Sequence, residues 1–159
     1  MLKVTVMAVG AVKEPYIRAA CLEYQKRLQG SCRITVEEIA EERLPEQASD
    51  AQIRLALRKE GDRILKAAGN STLIALCIEG DLLSSEQLAE RLNLLAVGGH
   101  SHLCFVIGSS HGLSEMVKEA ASFSLSMSRM TFPHTLVRVL LLEQVYRALQ
   151  IQQGSPYHK

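Results

Sequence analysis

The clearest pattern for chemistry in this chain is a short segment bracketed by glycines. Residues 108–112 read Gly-Ser-Ser-His-Gly and stand between an apolar run and a helical pattern. This order matches the G-x-S-x-G turn that exposes the nucleophile of a serine hydrolase, with Ser110 as the nucleophile. The same segment also fits a glycine-rich turn whose backbone amides bind a small ligand or make no special contact. One motif therefore has two interpretations.

A serine hydrolase needs an acid and a histidine as well as the nucleophile. Later in the chain, Glu119 with His134 or Glu143 with His158 would supply such a pair. Glu143, however, precedes Arg147 by four residues in a helical pattern, which makes the arginine its natural ion-pair partner. The chain is also short for the hydrolase fold that uses this turn. The hydrolase is therefore kept as an alternative, and the ligand-binding turn is favoured.

A second segment with the composition of a binding site covers residues 126–134. It combines small hydroxyl side chains, two methionines and a phenylalanine directly before a helix. Such a loop exposes backbone N–H and C=O groups beside apolar surface, which is what a flat heterocycle such as adenine requires. Pro133 suits a helix start, and His134 then lies where the helix amides point outward. The alternative is an ordinary packed loop, and composition alone does not decide between the two.

The sequence lacks the motifs of several common kinds of binding site. The chain lacks the G-x-G-x-x-G fingerprint of dinucleotide binding and the Gly-Lys-Ser/Thr of a phosphate loop. The five histidines are scattered and no helix places two of them four residues apart, so we expect no metal site. The four cysteines form no C-x-x-C pair, which is typical of reduced core residues in a cytoplasmic protein. The apolar runs are too short to span a membrane.

The charge of the chain is nearly balanced but unevenly distributed. A formal net charge of +1 argues against a general nucleic-acid coat protein. Residues 1–120 carry fourteen basic and sixteen acidic side chains, whereas residues 121–159 carry four basic and one acidic. The positive field is therefore concentrated on the C-terminal segment.

Alternating strand and helix patterns position these segments. Strand patterns cover residues 2–9, 34–36, 72–78, 103–107 and 123–127, the second of them short and peripheral. Helical patterns cover residues 14–28, 53–68, 84–95, 116–120 and 135–152. This alternation predicts one α/β domain over residues 1–159 with a mainly parallel sheet. Ligands bind at the carboxyl ends of such strands, here after Ile78, Ile107 and Met127.

The final helix pattern is apolar on more than one side. Residues 139–142 read Val-Leu-Leu-Leu, so apolar side chains face every direction there. A helix of this kind is usually buried, and at the end of a small domain a second copy of the chain is the simplest cover for its outer side. We therefore predict a homodimer. Arg138 and Arg147 leave this surface at a wide angle to one another, and each is solvated, ion-paired or directed at phosphate.

Short motifs are distributed over the whole chain in one specific combination. They are Ala8-Val9-Gly10, Lys59-Glu60-Gly61, Phe105-Val106-Ile107-Gly108, Gly112-Leu113, Leu125-Ser126, Pro133-His134, Leu136-Val137-Arg138-Val139, Glu143-Gln144-Val145-Tyr146-Arg147-Ala148 and Pro156-Tyr157-His158-Lys159. With this combination the chain resembles the ribosomal large subunit methyltransferase H family, of the SPOUT class. Each motif alone is weak, and the combination is specific.

The resemblance implies an α/β SPOUT fold, with a mainly parallel sheet, helices on both faces and a C-terminal deep trefoil knot, in a homodimer. Such a knot departs from the usual unknotted chain, and no periodicity reveals it. The resemblance also implies that S-adenosylmethionine binds at the knot. The implied cofactor contacts are Leu76, Gly108, Met127, Ser128, Arg129, Met130, Thr131 and Phe132.

The implied activity is methylation of N3 of a pseudouridine in the helix 69 region of 23S ribosomal RNA, on the assembled ribosome. Loss of the N3 proton is expected to be assisted or oriented by His134, and Arg138 is expected beside it in the catalytic site. The residues expected to bind RNA are Arg138, Arg147, Tyr157, His158 and Lys159. The remaining alternative is a ribosome-binding factor without catalytic activity.

One residue departs from the family pattern. Relatives commonly have two glycines where this chain has Gly108-Ser109. A serine at a position that requires a positive φ would be strained and would lower the affinity for the cofactor. At other backbone angles the serine is harmless.

Overall fold

In the computed structural model, which describes residues 1–158, strands and helices alternate as the sequence predicts. The strands are β1 (Lys3–Val9), β2 (Arg33–Ile39), β3 (Thr72–Leu82), β4 (His102–Ile107) and β5 (Phe123–Ser126). The helices are α1 (Pro15–Leu28), α2 (Asp50–Ala68), α3 (Ser85–Val97), α4 (Glu115–Ala120) and α5 (His134–Gln152). Neighbouring strands are parallel, in the order β2-β1-β4-β3-β5. The prediction of a parallel α/β sheet with a peripheral second strand is confirmed.

Helices cover both faces of this sheet. One apolar cluster joins α1, α3 and α5 to one set of strand residues, including Val6 and Phe105. The other cluster joins α2 and α4 to the alternate set, including Met7 and Val106. Because successive side chains of a strand point to opposite faces, strands buried on both sides are apolar at every position. The unbroken apolar runs at the ends of β1 and β4 follow from this arrangement.

Helix α5 packs against both α1 and α3. Leu141, Leu142 and Val145 are completely buried there. Each such side chain contributes about 1.5–3 kcal/mol through its burial, so this face anchors the C-terminal part of the chain. Val139 and Leu140 are only half-buried. The apolar surface of α5 is therefore not fully covered by the chain itself.

Strand β3 is interrupted where it pairs with β5. Leu76 and Asp81 both pair with Leu125, so residues 77–80 bulge out of the ladder. Gly80 permits the bulge, because a Cβ there would lie 2.7 Å from a backbone atom of β5. The sequence pattern predicted an earlier end to this strand, since the bulge breaks the apolar run. The chain rejoins the sheet after it.

Three of the four cysteines belong to the core, as the absence of pairing motifs predicted. Cys21, Cys32 and Cys104 are buried, Cys77 is half-buried, and all four are free thiols. Burial raises the pKa of Cys32 and of Cys104 to about 11. Both thiols are therefore neutral and unreactive at neutral pH. Within residues 1–158, no helix has the length and hydropathy needed to cross a membrane.

Candidate functional site

A cavity of about 630 Å³ opens at the carboxyl ends of β3, β4 and β5. This volume lies within the range of about 300–1,000 Å³ that is typical of small-molecule sites. The bulge of β3 forms one wall, and the others come from residues 107–113 and from the segment that follows β5. The three strand ends that the sequence marked as binding positions therefore meet in one place.

Seven of the eight residues expected to contact a cofactor line this cavity. They are Leu76, Gly108, Met127, Ser128, Met130, Thr131 and Phe132. The eighth, Arg129, is exposed and does not belong to the lining. Its neighbours in the sequence, Ser128 and Met130, both line the cavity.

The first wall of the cavity is the tight turn over residues 108–112. Gly112 has a φ of +88° and donates a backbone hydrogen bond of 2.9 Å to the carbonyl oxygen of Ser109. A Cβ on Gly108 would clash with the carbonyl oxygen of Gly112. Glycine is therefore required at both positions. No non-glycine residue among residues 1–158 has a positive φ, so the strain considered for Ser109 does not arise.

Ser110 lines the same cavity as His134, one of the two histidines considered for a hydrolase. It is exposed, and one acid–histidine pair considered for it is engaged elsewhere. Glu143 accepts a hydrogen bond from Arg147 at 2.7 Å, as the helical spacing predicted, and His158 lies 2.6 Å from Glu86. A nucleophile needs its base within hydrogen-bond reach, with a third group to orient the base. Glu143 and His158 do not meet this requirement for Ser110.

The second wall, over residues 126–132, is fixed by its own hydroxyl groups. The hydroxyl of buried Ser126 donates to the carbonyl oxygen of Ser128 at 3.1 Å. The hydroxyl of Ser128 accepts a hydrogen bond from the amide of Met130 at 2.9 Å. The side chains of Met130 and Phe132 remain 74% and 37% exposed. A rigid turn with exposed apolar side chains suits the flat face of a heterocycle.

An ion pair in the wall of the cavity was not found from the sequence. Glu79, on the bulge of β3, accepts a hydrogen bond from the ammonium group of Lys118 on α4. This bond lowers the pKa of Glu79 and raises the pKa of Lys118. The two residues are 39 positions apart, and neither belongs to a recognisable motif. They add a charged pair to a wall that is otherwise mainly apolar.

His134 is the first residue of α5 and lines the cavity. Its imidazole approaches Gly10, which ends β1 with a φ of +95°. A Cβ on Gly10 would lie 3.9 Å from His134 Cε1 and 3.1 Å from Glu41 Oε2. The carboxylate of Glu41 and the imidazole of His134 therefore both lie close to the same glycine. The sequence did not single out Glu41, because only the sheet order brings it to α5.

Arg138 lies one turn further along α5 and is only 3% exposed. Its guanidinium donates to Glu38 at 2.8 Å and to the carbonyl oxygen of Gly10 at 2.9 Å. These bonds tie the first turns of α5 to the carboxyl ends of β1 and β2. The geometry argues against the direct phosphate contact expected of Arg138, because its guanidinium is buried and both terminal nitrogens donate to protein groups. Arg138 is better described as a residue that holds α5 in place.

Three other residues expected to bind RNA form one cluster, which we call the tail cluster: Arg147, Tyr157 and His158. The guanidinium of Arg147 lies 4.9 Å from the centre of the Tyr157 ring and 3.2 Å from His158 Nδ1. The Tyr157 hydroxyl donates to Glu143 at 3.1 Å. Burial and this carboxylate raise the pKa of Tyr157. The cluster fixes the C-terminal segment to α5.

The tail cluster is separate from the cavity within one protomer. Arg147 follows His134 by thirteen residues in the same helix, which corresponds to about 20 Å along its axis. Lys159, the last residue expected to bind RNA, lies outside the described residues. The structure therefore groups the expected cofactor residues at one end of α5 and the described tail residues at the other.

The chain is similar in sequence to a known protein family and to named relatives. A model of a family described as "Predicted SPOUT methyltransferase" matches residues 2–158. The chain is 49% identical to the "Ribosomal RNA large subunit methyltransferase H" of Bifidobacterium adolescentis, with 99% of this chain and all of the relative covered. It is 46% identical to the protein of the same name from Bacillus pumilus, with the same coverage.

Comparison with solved structures supports the fold at low sequence identity. A probable methylase family protein from Haemophilus influenzae matches with a TM-score of 0.58 and 12% identity, covering 100% of this chain and 72% of that one. The tRNA (m1G37) methyltransferase from Aquifex aeolicus matches with a TM-score of 0.55 and 14% identity, covering 91% of this chain and 69% of that one. At these identities the likeness concerns the fold alone.

Proposed function

Because the chain belongs to the SPOUT methyltransferase family, and within it to the ribosomal RNA large subunit methyltransferase H group, we propose that it transfers a methyl group from S-adenosylmethionine to large subunit ribosomal RNA. The observation that carries this proposal is the cavity between two turns at the carboxyl ends of three parallel strands. As the specific reaction we propose methylation of N3 of a pseudouridine in the helix 69 region of 23S RNA.

The cavity residues fit S-adenosylmethionine. Gly108 has no room for a side chain beside Gly112, so the ligand meets bare backbone at this turn. Met130 and Phe132 offer apolar surface for an adenine ring, and the pair of Glu79 and Lys118 offers charged groups for an amino acid moiety. When bound, the cofactor supplies an electrophilic methyl group that requires an in-line nucleophile.

The residue that we propose for handling the N3 proton is His134. It lines the cavity, and its ring lies close to Gly10, which the carboxylate of Glu41 also approaches. An imidazole that lines the cavity is a side chain of the kind that accepts a proton from a bound substrate. Arg138 supports this arrangement because its guanidinium donates to the carbonyl oxygen of Gly10 and so holds α5 in place.

We further propose a homodimer with a knotted C-terminal segment. The half-buried apolar residues Val139 and Leu140 support a second copy of the chain as the cover for α5. In a dimer the tail cluster of one protomer can face the cavity of the other, which would bring RNA-binding and cofactor-binding residues together despite the length of α5. The knot is inferred from the family, whose fold threads the segment after β5.

The expected setting is the cytoplasm, where the assembled ribosome is the substrate. With a net charge of +1, the chain has little general attraction for RNA. Recognition of a large ribonucleoprotein surface by shape therefore suits this chain better than tight binding to free RNA.

One experiment tests this function against its alternatives. Ribosomes that lack the modification are incubated with the protein and methyl-labelled S-adenosylmethionine, and the labelled nucleotide is mapped. We expect one labelled pseudouridine in 23S RNA. Ribosome association without label would indicate a non-catalytic binding factor. Labelling of Ser110 by a fluorophosphonate probe would indicate a hydrolase.

A further inference from the structure

A buried carboxyl group lies directly behind the turn over residues 108–112. The side chain of Glu60, on α2, is 3% exposed. One of its oxygens accepts a hydrogen bond from the backbone amide of Glu42 at 2.9 Å, and the other accepts a long one from the hydroxyl of Ser109 at 3.4 Å. Ser109 is itself only 7% exposed. Glu60 therefore connects the segment after β2 to the turn that forms the first wall of the cavity.

The next residue of α2 fits against the other end of the same segment. A Cβ on Gly61 would lie 2.5 Å from Ser114 Oγ and 3.2 Å from Val117 Cγ2. The helix backbone therefore lies directly against the start of α4, where the Ser114 hydroxyl accepts a hydrogen bond from the amide of Val117. Two successive residues of α2 thus support residues 109–114 from behind, one by hydrogen bonding and one by close packing.

The turn needs such support because it separates two open spaces. A second cavity of about 550 Å³ lies behind it, lined by residues 41–46, by Glu60 and by residues 109–111. Residues 109–111 also line the first cavity. A loop with open space on both sides is free to shift into either, and the hydrogen bond from Ser109 to Glu60 opposes that shift.

We propose that Glu60 is a positioning residue that holds the turn, through the Ser109 hydroxyl, in the shape that binds S-adenosylmethionine. This inference rests on the proposed function, since it assumes that the first cavity binds the cofactor. It assigns a role to the serine that replaces a family glycine: Ser109 supplies the donor that Glu60 accepts. Glu60 itself does not line the first cavity, so its effect on the cofactor is indirect.

The test compares the variants Ser109→Ala, Glu60→Ala, Glu60→Gln and the double variant Glu60→Ala/Ser109→Ala. The affinity for S-adenosylhomocysteine is measured by calorimetry, and hydrogen exchange is followed in peptides covering residues 105–115. We expect about threefold weaker binding for Ser109→Ala and about tenfold weaker binding for Glu60→Ala, with faster exchange in both. Glu60→Gln should restore most of the affinity, because an amide still offers one acceptor and can donate to the Ser109 oxygen.

The matched control is Glu46→Gln. This exposed glutamate lines the same second cavity, and the substitution removes the same charge. It should bind S-adenosylhomocysteine like the wild type. If the two residues act through one contact, the double variant binds no more weakly than Glu60→Ala, whereas multiplied losses would overturn the proposal.

Other outcomes are equally decisive. Wild-type affinity and unchanged exchange in Ser109→Ala would overturn the role of Ser109, even if Glu60→Ala failed to fold. A wild-type protein that binds no S-adenosylhomocysteine would instead contradict the proposed function.

Discussion

Glu60 and Arg138 are the buried charged side chains in the described part of the chain. Their bonding partners differ. The carboxyl of Glu60 accepts two hydrogen bonds but has no cation bonded to it, so desolvation raises its pKa above 4.5. The guanidinium of Arg138 is paired with Glu38. Ionisation of a buried acid with a raised pKa lowers the stability of the folded state. In a buried ion pair, removal of either partner leaves the other charge uncompensated.

The raised pKa of Glu60 gives a pH dependence with a definite sign. The folded state binds the Glu60 proton more tightly than the unfolded state. The contribution of Glu60 to stability is therefore fully present below pH 4.5 and is lost as pH rises through the raised pKa. We expect Glu60→Gln to gain stability relative to the wild type as pH rises from 4 to 7, measured by urea unfolding. Parallel pH profiles for the two proteins would contradict this assignment.

The ion pair of Arg138 and Glu38 predicts an asymmetry between its two partners. The Glu38 side chain is 47% exposed, whereas that of Arg138 is 4% exposed. Glu38→Ala leaves a buried charge without its partner and should cost about 3 kcal/mol of unfolding free energy. Arg138→Met leaves a carboxylate that water can solvate and should cost about 1–2 kcal/mol. Urea unfolding of both variants measures the difference, and an equal or reversed order would contradict the burial argument.

His134 should affect the chemical step rather than cofactor binding. We expect His134→Ala to lower the single-turnover rate of methylation at saturating cofactor by a factor of about 10²–10⁴, the usual contribution of a general base. The affinity for S-adenosylhomocysteine should change little. His100→Ala, at an exposed histidine bonded to Thr72, is the control. An unchanged rate in His134→Ala would remove the histidine from the mechanism.

At the scale of elements, α5 connects the cavity to the tail cluster. Its first turn borders the cavity, its middle is buried against α1 and α3, and its end carries the tail cluster. Helix length alone separates the two regions. The segment after α5 is held by hydrogen bonds from Tyr157 to Glu143 and from His158 to Glu86. The bond from His158 lowers the pKa of Glu86.

Removal of residues 157–159 should therefore separate RNA binding from cofactor binding. The deletion takes away two members of the tail cluster and leaves the cavity walls intact. We expect binding to ribosomes, measured by co-sedimentation, to weaken at least tenfold. The affinity for S-adenosylhomocysteine, measured by calorimetry, should stay within about twofold of the wild type. Equal losses in both measurements would mean that the tail serves only to stabilise the fold.

At the scale of the whole molecule, the charge balance predicts the preferred substrate. A protein with a net charge of +1 has no large positive field with which to capture free RNA. We expect methylation of intact ribosomes to be much faster than methylation of naked 23S transcript at equal RNA concentration and at physiological salt. Comparable rates on the two substrates would contradict recognition of the assembled particle.

Local sequence patterns predicted the order of elements and the location of the two turns that line the cavity. Apolar periodicity and glycine positions are local signals, so they predicted the parallel sheet and the turns over 108–112 and 126–132. The family motifs added the proposed cofactor and substrate. The sequence could not exclude Ser110 as a nucleophile, because the motif contains no information on which groups surround it.

Contacts between residues far apart in the sequence became visible only in the folded chain. The pairs Glu79–Lys118, Glu60–Ser109 and Glu38–Arg138 join residues 39, 49 and 100 positions apart. Such pairs leave no periodic trace, because their contact depends on strand order and helix packing rather than on neighbouring residues. The burial of Arg138 is the clearest case: the sequence left it solvated, ion-paired or directed at phosphate, and the fold turns it inward to bond Glu38 and Gly10.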